Sequence, residues 1–175
     1  KLGLASRLHV DEFVDGGGLQ LATELGAISG DHVGHSSEAA RQSASDSGVM
    51  QTFLPGTPYI LGHDLETPLR QCIENNWPFS LATDFNPNCR TLSIPFVGSL
   101  ATHRLGLSPM EALVAVTRNP ATTLLNSTPG QVTGSIREGG PADLLLLDSQ
   151  YIDSWCQMPG DNPIYKTIKS GDIVN

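Results

Sequence analysis

The residues best suited to chemistry in this chain are acids and histidines that follow short apolar segments. Asp84 follows one such segment, residues 79–83, and opens a Phe-Asn-Pro turn. His9 and Glu12 follow a second apolar segment, and His32 follows a third. A carboxylate at the end of a buried strand is costly unless an arginine, a helix N-terminus or a metal ion lies opposite it. These strand ends predict a hydrolytic site at the carboxyl edge of an α/β sheet.

The spacing of His9 and Glu12 is typical of metal-assisted hydrolysis. A continuing strand would place residues 9 and 11 on one face, whereas a turn that begins at the histidine brings residue 12 beside it. The imidazole can then hold a metal ion while the carboxylate transfers protons. The alternative is a surface histidine followed by Asp11 and Glu12 as acids that only solvate a turn.

His32 and Asp84 each have a functional and a structural interpretation. A neutral imidazole at a strand end can orient water or polarise a carbonyl group, but residues 30–35 could also form a local polar turn. Asp84 could be a catalytic carboxylate or an Asx-turn acceptor within its own loop. Cys89, in the same loop, could act as a nucleophile, but no histidine adjoins it. The remaining histidines are interpreted as a helix start or as background: His35, His63 and His103.

Charge and composition restrict the partners of the chain. The 175 residues carry a formal net charge of −8, and this charge disfavours nucleic acids and anionic membranes as partners because both are negatively charged. No run of about 18 apolar residues occurs, so no membrane span is predicted. No secretory leader is visible and the first residue is Lys1, so we expect a processed or truncated start. Three cysteines without Cys-x-x-Cys spacing favour a reducing, cytoplasmic location.

Strand and helix patterns alternate over residues 1–127. This alternation predicts an α/β fold with a parallel sheet and helical crossovers. A closed (β/α)8 barrel needs about 250 residues, so the segment is either half of such a barrel or a small doubly wound sheet. The four predicted strands are residues 4–10, 27–29, 49–54 and 79–83.

The second part of the chain has a different character. A boundary is predicted near Thr128, because glycine and proline become frequent there. Residues 128–175 are predicted to contain a strand at 144–147 and a hairpin at 164–174. Capping signals predict where helices begin, namely at Ser36 or Ser37, Thr67, Ser93 and Ser108.

Several strings of residues resemble the imidazolonepropionases, a family of the metal-dependent amidohydrolase superfamily. The resemblance runs over nearly the whole chain in the family's order and covers the C-terminal half of such an enzyme. The most specific strings are Ala-Thr-Asp-Phe-Asn-Pro at 82–87 and Leu-Pro-Gly-Thr-Pro at 54–58. The other matching strings lie at residues 9–13, 16–32, 111–119 and 134–144.

The resemblance implies the second half of a (β/α)8 barrel plus the C-terminal strands of a small β-sandwich. Residues 1–127 would form the barrel half, and residues 128–175 would return to the sandwich. His9 and Asp84 would be metal ligands on the fifth and eighth barrel strands. The cofactor would be one divalent ion, zinc or iron.

The resemblance also implies an activity, the hydrolysis of 4-imidazolone-5-propionate to N-formimidoyl-L-glutamate in histidine degradation. Glu12, His32 and Asp84 would be catalytic. Glu12 would contact the substrate and assist proton transfer, and His32 would orient the carbonyl group or the attacking water. The partner would be a small-molecule substrate, and members of the family tend to form homodimers.

Substrate binding is implied for Glu12 and for the loop after Asp84. Asn86 matches a substrate-binding asparagine of the family. Asn88 and Cys89 are candidate substrate contacts, although many members have glycine followed by serine or threonine at these positions. This departure leaves the roles of Asn88 and Cys89 less well defined than that of Asn86.

A second departure concerns the metal, because no His-x-His pair occurs anywhere in the sequence. His9 and Asp84 are two ligands, whereas catalytic zinc generally has three or more protein ligands. We therefore expect the chain to be an incomplete portion of an enzyme. Alone it should hold metal poorly and show no activity, which an upstream portion should restore.

Two other hypotheses remain open from the sequence. One is a related amidohydrolase that deaminates a nitrogen heterocycle, which would share the four site residues and differ in the loop 84–91. The other is a non-catalytic α/β domain that binds a partner or assembles with itself. A bound stoichiometric metal would argue against the second.

Overall fold

Four short segments of the first 92 residues form a parallel β-sheet in the computed structural model of the chain, which describes residues 4–65, 67–124 and 133–175. Neighbouring strands in the sheet are also neighbours along the chain. The α/β class with a parallel sheet is therefore confirmed. The strands are β1 Arg7–Val10, β2 Ser29–His32, β3 Met50–Phe53 and β4 Phe79–Leu81.

The register of the sheet places the functional strand ends side by side. Val10 pairs with His32, and His9 pairs with Asp31. At the other side of the sheet Phe53 pairs with Leu81. Because all pairs are parallel, the four carboxyl ends meet at one edge, where ligands of α/β proteins bind.

The described residues of the same unit form four helices: α1 Gly18–Glu24, α2 Glu38–Asp46, α3 Gly56–Leu61 and α4 Leu69–Glu74. The predicted cap of α2 is Ser37, whose side chain accepts from the Ala40 N–H at 3.3 Å. Helix α3 was not predicted, because Pro58 and the flanking glycines suggest a turn instead.

The core of this unit lies between the sheet and the helices. Helix α1 packs on β1 and β2, and α2 packs on β3. Leu19, Phe53 and Leu69 are completely buried, and the Phe53 and Phe79 rings meet edge to face with centroids 6.1 Å apart. This packing fixes the sheet that carries the site.

The second compact unit comprises residues 93–175. The predicted capping box of Ser108 and Glu111 is present, and Ser93 caps the preceding helix. The strands form an antiparallel sheet in which they follow one another in sequence order, and this agrees with the predicted strand and hairpin. The elements are α5 Ile94–His103, α6 Pro109–Val116, α7 Arg118–Ala121, β5 Leu144–Leu147, a 3-10 helix Ile152–Trp155, β6 Ile164–Lys169 and β7 Asp172–Ile173.

The predicted domain boundary at Thr128 lies outside the described residues and stays a prediction. The two compact units divide between Leu92 and Ser93. Within the described ranges, none of the helices combines the length and apolar character needed to cross a bilayer.

Candidate active site

Four side chains predicted from the sequence lie together at the carboxyl edge of the parallel sheet. His9 Nε2 is 3.0 Å from Glu12 Oε2, so the turn brings residue 12 beside residue 9 as expected. His32 lies between two carboxylates, with Nδ1 3.8 Å from Glu12 Oε1 and Nε2 3.9 Å from Asp84 Oδ1. The His9 and His32 rings are 4.3 Å apart between centroids. Three strand ends thus contribute to one cluster.

The backbone turns sharply where it leaves the strands at this cluster. Positive φ angles occur at Asp11 (52°), His32 (80°), Val33 (45°) and Asp84 (56°). Such angles cost about 1–3 kcal/mol for residues other than glycine, and they concentrate at functional sites. A β-branched valine in this region is a marked outlier. Surrounding contacts must therefore hold these turns.

The turn between His9 and Glu12 is held by the carboxylate of Asp11, which is only 8% exposed. Its oxygens accept from Gly16 N at 3.1 Å, Gly18 N at 2.9 Å, Leu19 N at 3.0 Å and Ser36 Oγ at 2.6 Å. Burial raises the pKa of Asp11, but these four donors outweigh burial and hold the pKa below its ordinary value. The sequence-based alternative of a merely solvated Asp11 is therefore wrong.

Of the three consecutive glycines at 16–18, Gly18 serves the close backbone approach that their sequence suggests. A Cβ atom on Gly18 would lie 2.4 Å from the Cβ atom of Val10. Only glycine allows the first turn of α1 to approach β1 this closely and to donate to Asp11.

The His32 imidazole is 6% exposed. Burial lowers the pKa of His32 and outweighs the carboxylates of Glu12 and Asp84, which raise it, while His9 lowers it further. Burial therefore favours the neutral form of the ring. Both carboxylates lie beyond hydrogen-bond distance of the ring nitrogens, at 3.8 and 3.9 Å, so the single N–H of a neutral imidazole can serve another acceptor.

Asp84 is oriented by Thr57, in the first turn of α3, and by Asn86 of its own loop. Thr57, which follows β3, donates its hydroxyl to Asp84 Oδ2. The Asn86 amide donates to Thr57 Oγ1 at 3.2 Å and to the Asp84 backbone carbonyl at 2.8 Å. Thr57 belongs to the predicted Leu-Pro-Gly-Thr-Pro string, but its contact with Asp84 joins residues 27 positions apart and could not be read from spacing.

Asn88 and Cys89 complete the loop in different ways. The backbone N–H groups of both donate to Asn86 Oδ1, at 2.8 and 3.1 Å. The side chain of Asn88 is exposed, whereas Cys89 is completely buried and its thiol donates to the Thr83 carbonyl at 3.4 Å. Their substrate contacts stay predictions.

A cavity of about 290 Å³ opens beside the cluster, and Glu12 and His32 form part of its wall. His35, interpreted from the sequence as a helix start, and His63, interpreted as background, both line this cavity. The Phe13 ring, also in the wall, meets the His63 ring edge to face with centroids 6.3 Å apart. Spacing gave no signal for His63, because it follows a helix that the sequence did not predict.

The donor set fits a divalent metal ion. His9, Glu12 and His32 each offer one ligand atom, and these atoms all lie within 4.8 Å of one another. Imidazole nitrogen and carboxylate oxygen are donors that zinc and iron accept. Asp84 adds a carboxylate on the far side of His32. The predicted ligand pair of His9 and Asp84 stays a prediction.

Curated relatives agree with the resemblance predicted from the motifs. Imidazolonepropionases from Halobacterium salinarum and Geobacillus thermodenitrificans are 35% and 37% identical to the chain over 176 and 173 residues. Each match covers 98% of this chain but only 42% and 40% of the relative. The chain therefore spans about two fifths of the length of these relatives.

Solved structures show the same fold. An ochratoxinase from A. niger aligns with a TM-score of 0.76 at 21% identity, over 97% of this chain and 41% of that one. An adenosine deaminase from Xanthomonas campestris with bound zinc gives 0.76 at 16% identity, over 97% and 45%. The guanine deaminase of E. coli gives 0.72 at 19% identity, over 92% and 42%.

The sequence model of the amidohydrolase family matches residues 20–175, which is most of the chain. This match includes His32 and Asp84 and the loops that hold them. Since the fold, the strand-end cluster and the family match agree, the chain belongs to the amidohydrolase family.

Proposed function

We propose that the chain carries the catalytic edge of a hydrolase that opens a cyclic amide C–N bond. The proposed substrate is 4-imidazolone-5-propionate, and the product is N-formimidoyl-L-glutamate, an intermediate of histidine degradation. The observation that carries the proposal is the convergence of His9, Glu12, His32 and Asp84 at one sheet edge. The names of the curated relatives support the choice of substrate.

The proposal includes the architecture of the complete enzyme. The four parallel strands would be the second half of a (β/α)8 barrel, and residues 128–175 would belong to a small β-sandwich. The strand order supports the first part, because consecutive strands of such a barrel are also neighbours in space.

A divalent ion, zinc or iron, would be held by His9 and Asp84 together with ligands from another part of the enzyme. When bound, such an ion supplies a Lewis acid and lowers the pKa of water toward about 7. The close approach of His9, Glu12 and His32 supports a cation site at this edge.

Glu12 is placed for proton transfer. Its two oxygens face the imidazoles of His9 and His32, and its side chain is 17% exposed, so a water molecule can reach it. We propose that Glu12 takes a proton from the water that attacks the ring carbonyl carbon. As the C–N bond breaks, Glu12 and Asp84 would deliver a proton to the leaving ring nitrogen.

His32 would orient the carbonyl oxygen that receives negative charge. Because burial favours its neutral form, the ring can donate one hydrogen bond to that oxygen without introducing a second positive charge. The carboxylates of Glu12 and Asp84 on either side limit the directions in which the ring can point.

The cavity and the loop after Asp84 would bind the rest of the substrate. Asn86 is held by Thr57 and by the backbone of Asn88 and Cys89, so the loop has a defined shape. Thr67 lines the cavity, and its buried hydroxyl has no hydrogen-bond partner among the described residues.

The proposed setting is a cytoplasmic enzyme with a small-molecule substrate. All three cysteines are free and buried, which is consistent with a reducing compartment. Homodimer formation is a further expectation, and sedimentation of the purified protein would measure it.

The test is hydrolysis by a chimera in which the N-terminal part of the Geobacillus thermodenitrificans relative precedes this chain. We expect the chimera to consume 4-imidazolone-5-propionate and the 175 residues alone to be inactive. The intact relative is the positive control, and a chimera with Asp84→Asn is the matched negative control. Activity of the isolated chain would contradict the proposed division of the site.

Deamination is the alternative outcome of the same assay. Two of the structural neighbours are named deaminases, although their identities of 16% and 19% support only the fold. A folded chimera that releases ammonia from purine or pyrimidine bases, and leaves the imidazolone intact, would replace the proposed substrate. A folded, metal-loaded chimera inactive on both classes would favour a non-catalytic role.

A further inference from the structure

Arg41 is a fully buried arginine that the mechanism above does not use. It lies on α2 and is 2% exposed. Its Nη1 donates to Gln51 Oε1 at 3.2 Å, and its guanidinium lies 5.3 Å from the centroid of the Phe53 ring. Within the described ranges no carboxylate forms a salt bridge with it. A buried charge without a direct counter-ion is costly unless hydrogen bonds compensate it.

Two compensating bonds go to the turn that follows His32. Arg41 Nη2 donates to the carbonyl of Val33 and, at 3.1 Å, to the carbonyl of Gly34. These carbonyls belong to the two residues directly after His32, where the chain leaves β2. Without Arg41 they would be buried acceptors that lack this donor, which is unfavourable in a protein interior.

This turn is also the most strained part of the site. His32 and Val33 have consecutive positive φ angles of 80° and 45°. The turn is tied to the end of β1 by Val33 N, which donates to the Val10 carbonyl at 3.1 Å. The carbonyl groups of the turn are held by Arg41. The planar fork of a guanidinium can serve two carbonyls and Gln51 together from separate nitrogens, whereas an ammonium group carries its three donors on one nitrogen.

We propose that Arg41 is a positioning residue, whose guanidinium holds the strained turn after β2 and thereby aims the His32 imidazole between Glu12 and Asp84. The importance of this aim for catalysis rests on the proposed function. The arrangement itself does not, because it can be measured in the folded chain without substrate. Positioning groups behind a catalytic ligand typically change activity by about 10- to 100-fold.

The experiment follows the ring nitrogens of His32 by long-range proton–nitrogen NMR in the 175-residue chain. The variants are Arg41→Lys and Arg41→Met, and the matched buried control is Gln51→Leu. Gln51→Leu removes one partner of Arg41 but leaves the bonds to Val33 and Gly34. We expect both Arg41 variants to move the two His32 nitrogen shifts toward each other as the tautomers mix, and Gln51→Leu to leave them in place.

Two results would overturn the proposal. One is a folded Arg41 variant whose His32 shifts match those of the unaltered chain. The other is an equal change in Gln51→Leu, which would indicate general loosening of the core. If the Arg41 variants do not fold, couplings across the hydrogen bonds from Arg41 Nη2 to the Val33 and Gly34 carbonyl carbons decide the matter in the unaltered chain. Their presence supports the proposal, and their absence contradicts it.

The active chimera separates this proposal from the proposed function. If Arg41 positions His32, Arg41→Lys should lower kcat about 10- to 100-fold and leave KM nearly unchanged. If the chimera is inactive but the Arg41 variants change the His32 nitrogen shifts, the proposed substrate is refuted and the positioning role is retained. An active chimera in which the Arg41 variants leave both the His32 shifts and kcat unchanged would support the proposed substrate and refute the positioning role.

Discussion

Asp11 in the parallel-sheet unit and Asp143 in the antiparallel-sheet unit use the same device in different surroundings. Each carboxylate pins a corner of the backbone. Asp11 accepts three backbone N–H groups and the Ser36 hydroxyl in the interior. Asp143 accepts from the Ser170 N–H at 2.9 Å and from Lys169 at the surface. For both residues, hydrogen bonding to the charged form holds the pKa below its ordinary value.

The difference between the two corners is the solvent. Water can replace the donors of Asp143 if they separate, and salt screens its attraction to Lys169. Water cannot easily replace the donors of Asp11, so losing its charge leaves buried N–H groups without an acceptor. Hydrogen bonds of the same kind therefore contribute far more to the free energy of unfolding at Asp11, beside the site, than at Asp143 in the antiparallel sheet.

The largest expected effect is a loss of kcat on substitution of Glu12, the neighbour of Asp11. Glu12→Gln in the active chimera should lower kcat by about 10²- to 10⁴-fold, because the proposed proton acceptor is lost. The free energy of unfolding should change little, since Glu12 bears no comparable set of backbone bonds. Steady-state kinetics and urea unfolding of the same preparation measure both. A Glu12→Gln chimera with normal kcat would remove Glu12 from the mechanism.

The next effect concerns the buried corner itself. Asp11→Asn should lower the free energy of unfolding by about 2–3 kcal/mol, because an amide accepts through one oxygen only and turns its NH2 toward buried donors. Urea denaturation measures the change. Asp15→Asn is the matched control, since Asp15 accepts from Gly17 N at 3.0 Å in the same loop but is exposed. If Asp11→Asn and Asp15→Asn lose equal free energy of unfolding, burial does not determine how much the carboxylate stabilises the chain.

The pH dependence should follow the buried carboxylate. A carboxyl group whose pKa is lowered on folding stabilises the protein above its ordinary pKa of 3.8, and this contribution disappears as pH falls through the lowered value. The stability difference between the unaltered chain and Asp11→Asn should thus be constant near neutrality and shrink below pH 3.8. Acid titrations of unfolding measure it. A difference that grows toward acid pH would contradict the assignment.

The smallest effect is expected at the surface corner. Asp143→Asn should shift the unfolding midpoint only slightly at low ionic strength, and about 1 M salt should abolish the shift because surface charges are then screened. Thermal unfolding at two salt concentrations measures this. A large, salt-independent loss would place Asp143 in the same class as Asp11.

Much of the framework could be predicted from the sequence because its signals are local. Strands β1, β3 and β4 lie within the predicted apolar segments, whereas β2, predicted at residues 27–29, runs from Ser29 to His32. Ser37, Ser93 and Ser108 cap helices as predicted. The predicted cap at Thr67 is wrong, because α4 begins after Pro68 without a side-chain cap. The meeting of His9, Glu12, His32 and Asp84 follows from parallel topology, which places strand ends at one edge. Short-range patterns and general topology were sufficient for these features.

The supporting contacts could not be predicted, because they join residues far apart in the sequence. Ser36 bonds to Asp11 across 25 positions, and Thr57 bonds to Asp84 across 27. The periodicity of apolar residues in the sequence gives no information about such pairs. Helix α3 was missed for a different reason, since a six-residue helix with an internal proline has almost no amphipathic pattern.

The contact of Gly18 with Val10 has a consequence for genetic variation. A methyl group at position 18 would overlap the valine side chain, displace the first turn of α1 and withdraw an N–H from Asp11. A change of one carbon atom, remote from any reacting group, would thereby shift Glu12. A saturation library scored for enzyme output should find this glycine as intolerant as an active-site acid, although it touches no substrate.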